Sequence, residues 1–150
     1  MAEWMERNSD MDRKEAKERQ AQAAAAVDQL EIAVRDDVAR WNELNPGYRR
    51  RLDDVKKLMP SGAFRVCKSS FPPFAVDVVL DPESFCVNVE TTTMNPVGGE
   101  QYIAQSCFIL AAEKSGFGLT HQPGDTISFA NASRSLLERL IPSASFWARR

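Results

Sequence analysis

Glycine and proline are both missing from residue 8 through residue 44. Without either breaker, a stretch of that length can run as one continuous helix. Histidine is nearly absent too, with His121 alone in 150 residues. One histidine leaves no His-based metal set, and no Ser-His-Asp group can be assembled around it from neighbours in the sequence. The three cysteines, Cys67, Cys86 and Cys107, are odd in number and contain no C-x-x-C pair. That excludes a zinc ribbon and argues against a disulfide framework. Each falls in a strand-like segment, where a reduced thiol packs as a small hydrophobe, although one pair could still be adjacent in a sheet.

Long apolar runs are lacking as well. Residues 107–112 form the longest one, far short of the roughly 20 residues that span a bilayer as a helix. The first twelve residues carry Glu3, Glu6, Arg7 and Asp10 with no apolar stretch, which predicts no secretory leader, and neither end carries a lipidation signal. The expectation is a cytoplasmic protein with no membrane partner. Charge of one sign is not in excess either: the net charge is −2, so there is no general attraction to nucleic acid. Arg49, Arg50 and Arg51 with Lys56 and Lys57 make the main basic cluster, but Asp53 and Asp54 interrupt it. Mixed charge of this kind reads as a solvated surface. Gly98-Gly99 and Gly116-x-Gly118 precede no helix, so no phosphate loop and no cofactor motif is present.

What is present divides by charge density. Residues 1–62 hold twelve of the nineteen Lys and Arg and thirteen of the twenty-one Asp and Glu. Ala, Glu, Lys, Arg and Gln dominate there, all strong helix formers, and Asn8, Ser9 and Asp10 are good N-caps. Val27, Leu30, Val34, Val38 and Trp41 recur at steps of three and four, one apolar stripe on a helix over residues 10–44. Asn45-Pro46-Gly47 ends it as a turn. A second helix is expected over residues 48–59, with Leu52, Val55 and Met59 on one face, closed by Pro60-Ser61-Gly62.

Beyond residue 62 the period changes from 3.6 to 2. Phe64 and Val66, then Phe74, Val76, Val78 and Leu80, then Phe85, Val87 and Val89 alternate with other side chains, as in half-buried antiparallel strands. Asp81-Pro82-Glu83-Ser84 makes the second and third a hairpin. Asn95 to Gly99, Ser115-Gly116 and Gln122 to Asp125 punctuate three more strands, for a sheet over residues 63–130. Asn131 or Ser133 caps a last helix over residues 132–141, and a tail over residues 143–150 carries Phe146, Trp147, Arg149 and Arg150. The fold class is therefore α+β: a long N-terminal helix and a second short one packed on an antiparallel meander of five to six strands, then a short C-terminal helix. Residues 1–26 read as a protruding Ala-rich charged arm and residues 27–150 as a single domain.

A helix over residues 10–44 spans roughly 50 Å, more than a domain of this size can cover. Residues 27–44 should dock on the sheet and residues 10–26 should protrude. A heptad through Ala16, Gln20, Ala23, Val27, Leu30, Val34, Asp37, Trp41 and Leu44 offers a competing use as a paired coil, with Gln20 and Asp37 as faults. Strand parity puts Asp77, Asn88 and Glu90 on one side of the hairpin, with Gln105 able to join them. Such a row can line a ligand groove or be the wet face of an antiparallel sheet. His121 sits beside a turn, where histidine is usually just solvated. Phe146, Trp147 and Arg149 are anchor-type residues for a protein partner, unless the tail folds back on the core.

The functional expectation is a non-enzymatic protein- or ligand-binding module without a cofactor, acting through the arm, the tail or a helix–sheet groove. Self-association through residues 10–44 is one form of it. The alternative is a small-molecule or acid–base enzyme site between helix and sheet that uses Asp77, Glu90 or His121.

Overall fold

A computed structural model describes residues 2–58, 62–70, 73–94, 100–113, 116–121 and 125–149. Of the turns expected at residues 95–99, 115–116 and 122–125, residues 95–99, 115 and 122–124 lie outside these, as do Met59, Pro60 and Ser61. The first helix, α1, runs Ala2–Leu44, so it starts before the expected caps and extends about 65 Å. Its docked face is Ala23, Ala26, Val27, Leu30, Val34, Val38 and Trp41, all buried. Docking begins at Ala23, four residues earlier than the valine-led stripe suggested, because two alanines let the backbone lie close. Every residue from Asp10 to Gln22 is exposed.

Residues 48–58 are not helical. Gly47 O accepts from Arg50 N and Arg51 N, one turn only, and the chain then runs irregularly to a two-residue strand β1, Lys56–Lys57. The cause is tertiary. Asn42 Nδ2 donates to Leu52 O at 2.9 Å, and Leu52 N donates to Asn42 Oδ1 at 2.8 Å. Trp41 Nε1 donates to Arg50 O, and Asp53 N donates to Cys67 O. Backbone groups that a helix would have paired internally are taken by α1 and the sheet.

The remaining strands are β2 (Ala63–Lys68), β3 (Phe74–Asp81), β4 (Cys86–Met94), β5 (Glu100–Glu113), β6 (Gly116–Thr120) and β7 (Thr126–Ile127). Together with β1 they form one seven-stranded antiparallel sheet in sequence order. The strand beyond the expected six is β1, drawn from the segment read as helix. A register shift between Thr91 and Thr92 bends the long β4–β5 pair.

Helix α2 spans Phe129–Leu137, starting earlier than expected because Ser128 caps it, its side chain accepting from Asn131 N. The tail forms a short helix α3, Ala144–Ala148, capped by Ser143. One face of the sheet, with Phe64, Val66, Val76, Val78, Val87, Val89, Phe108, Leu110 and Leu119, meets α1, α2 and α3 in a single core. The other face has no described helix over it. The architecture is α+β in two layers, and among the described residues no helix is long and apolar enough to cross a membrane.

Candidate functional site

The outward face of the sheet carries the polar row that parity predicts. Arg65, Asp77, Glu90 and Gln105 are Cα partners across β2, β3, β4 and β5. Asn88 lies one pleat along, between Val79 and Cys107. Reading the sequence overlooked Arg65, which grips Asp77 with two hydrogen bonds, Nε to Oδ1 at 2.5 Å and Nη2 to Oδ2 at 3.0 Å. The signal was available only once the β2–β3 register was known. Asp77 is thereby tied up as an ion-pair acceptor, while Glu90 and Gln105 are exposed on an open surface.

His121 does not join them. It follows β6, and its ring lies 4.8 Å from that of Phe108, a buried residue of the opposite, core-facing side. The acid–base candidates are thus split between two faces. All three thiols are free. Cys86 and Cys107 stand on neighbouring strands in a diagonal relation, Cys86 opposite Ile109 and Cys107 opposite Asn88. Burial pushes the Cys67 thiol up from its ordinary value, with Arg65 pulling the other way, so it stays protonated and a poor nucleophile near neutrality. Among the described residues no group of His, Cys, Asp and Glu is arranged to hold a metal ion.

The tail folds back. Phe146 and Trp147 are buried. The Phe146 ring meets Trp41 edge-on at 5.4 Å, and Trp147 Nε1 donates to Ile141 O at 3.0 Å. Arg149 remains exposed. This packing leaves a cleft of ≈ 780 Å³ between the end of α1, the turn after it and α3. Trp41, Leu44 and Phe146 supply its apolar lining, and Arg40, Arg50 and Arg149 its charge. The Arg40 guanidinium sits 4.4 Å from the centre of the Phe146 ring, a cation–π contact that fixes it at the rim.

The second feature is the outer side of α1. The expected heptad seam is largely consumed, since Ala23, Val27, Leu30, Val34 and Trp41 are buried in the core. A different column runs down the opposite side at seven-residue steps: Met11, Glu18, Ala25, Ile32 and Ala39, every one exposed. Met11 is 62% and Ile32 59% exposed, large apolar side chains left facing out. Alanine hid this column from a reading that looked for large residues. No protein-family model matches the chain, and no curated protein or solved structure matches it.

Proposed function

We propose that the chain is a non-enzymatic protein-binding module that works through α1, and that its helical partner is α1 of a second copy. The observation that carries this reading is the exposed run Asp10–Gln22, helical along its whole length with no core of its own to lie on. An undocked helix of that length, about 20 Å, is marginal in water and gains most from a neighbouring helix. The outward column continues from this arm onto the docked half, which gives a partner one continuous strip. A seven-residue step favours a left-handed pair.

Charge favours a parallel partner. In a parallel pair the column meets itself, Lys14 stands across from Glu15 of the other copy, and Arg35 from Asp36. Glu18 against itself is the one fault and sets a limit on affinity. A catalytic role gains no support from the polar sheet row, because Asp77 is held by Arg65 and His121 lies on the other face.

Sedimentation equilibrium of the full chain against Met11→Glu/Ile32→Glu tests the reading. Both substitutions are on exposed positions, so near-ultraviolet circular dichroism should show the core intact, with only the arm's share of the helical signal reduced. The parent should sediment above its chain mass of 16.8 kDa, and the variant at it. Equal masses for the two would contradict the proposal.

A further inference from the structure

The cleft at the end of α1 has a composition that the pairing of α1 does not use. We infer that it binds an oxyanion, a carboxylate in particular, borne on a flat apolar body. Three guanidinium groups line it and no acidic side chain does. Arg40, Arg50 and Arg149 make no ion pair with any described carboxylate, whereas Arg35, Arg65 and Arg134 are each paired with one. Three cations with no ion pair to a described carboxylate repel each other around one concavity, and an arriving carboxylate relieves that repulsion while accepting forked N–H donors.

The apolar part of the ligand is specified by the walls. Trp41 and Phe146 stand edge to face, and Leu44, 66% exposed, is left beside them on the solvent side. A planar apolar body placed there covers Leu44 and meets the parts of Trp41 and Phe146 that line the cleft. The volume matches clefts that take ligands of a few rings. Construction is rigid where it matters. Trp41 is pinned by its Nε1 bond to Arg50 O at 2.7 Å, which also holds the Arg50 backbone at the rim. Ser143 accepts from Phe146 N at 3.3 Å and fixes the start of α3.

Such a carboxylate can belong to a small molecule or to the C-terminus of a peptide, and calorimetry on the full chain separates them. The probes are 2-naphthoate, its neutral analogue 2-naphthalenemethanol, and a Gly-Gly-Trp peptide with a free or an amidated C-terminus. The expected result is saturable binding of 2-naphthoate or the free-acid peptide, the tighter one identifying the source. Either should bind at least about tenfold more tightly than its neutral counterpart. Arg50→Gln/Arg149→Gln, two exposed positions, should weaken that binding by at least about tenfold while circular dichroism stays the same. The Trp41 indole N–H resonance should move on titration in the parent. Equal affinity for charged and neutral probes, no binding of either acid at its solubility limit, or unchanged affinity in the arginine variant would each overturn the assignment. None of these outcomes depends on whether α1 pairs, because the cleft is built within one chain.

Discussion

The Ser133 hydroxyl in α2 donates to Asp37 Oδ2 in α1 at 2.7 Å, joining two buried residues 96 positions apart. A carboxylate in an apolar stripe would ordinarily be a defect. Here it is the polar latch between the two helices that cover the sheet. Ser133→Ala removes this donor from a buried acceptor and should cost about 1–3 kcal/mol. Urea denaturation followed by tryptophan fluorescence would show it as a lower midpoint with an unchanged slope.

Asn42 holds the segment after α1 in place of a helix, matching both backbone groups of Leu52. Asn42→Ala deletes two hydrogen bonds to a buried residue and should destabilise the fold by about 2 kcal/mol. The diagnostic readout is local: amide exchange at Leu52 should accelerate more than exchange in β3 and β4.

These two contacts explain what the sequence could and could not reveal. The strands were legible because Phe74, Val76, Val78 and Leu80 alternate so regularly, and parity put Asp77, Asn88 and Glu90 on one face, while the register that pairs Glu90 with Asp77 and Gln105 came from the fold. Residues 48–58 carry helix-compatible spacing in Leu52 and Val55, yet Asn42 and Trp41 overrule it through bonds that only the folded chain provides. Asp37 read as a fault because its partner lies in another helix. The early start of α2 at Ser128 was missed since Asn131 and Ser133 are equally good caps on paper. The arginine cleft was invisible for a similar reason: it brings residues 40–50 together with residues 142–149, and nothing in either stretch names the other.

Gly62 has φ +86°, and a Cβ added there would lie 3.2 Å from both Cβ and Cδ2 of Leu80. The same glycine accepts from Leu80 N at 2.9 Å, so the two backbones cannot simply separate. Gly62→Ala should cost about 1–3 kcal/mol through the left-handed backbone and this crowding. Gly47→Ala is the control, with nothing within 4 Å of its added Cβ. Thermal melts of the pair should fall well apart.

Asp81 tightens the turn between β3 and β4 by accepting from the Ser84 hydroxyl at 2.8 Å and from Glu83 N at 3.0 Å. Those bonds, Ser84 first, hold its carboxyl below the ordinary aspartate value. A depressed folded-state pKa means the stabilisation is present above the unfolded value, about 3.9, and disappears as pH falls through the folded one. Asp81→Asn should therefore be less stable than the parent at neutral pH, with the gap closing below about pH 4. Denaturation midpoints of both proteins across that range check the sign.

Exposed Met11 and Ile32 on the outer side of α1 carry the central claim, that a second copy lies along that column in parallel. Disulfide trapping measures it directly. Met11→Cys and Ile32→Cys are made separately in the full chain, oxidised at low protein concentration and mapped by peptide mass. A parallel pair predicts a cross-linked dimer from each single variant, through the two introduced thiols at the same position. If neither variant forms that same-position disulfide, the α1 pairing proposed here is wrong.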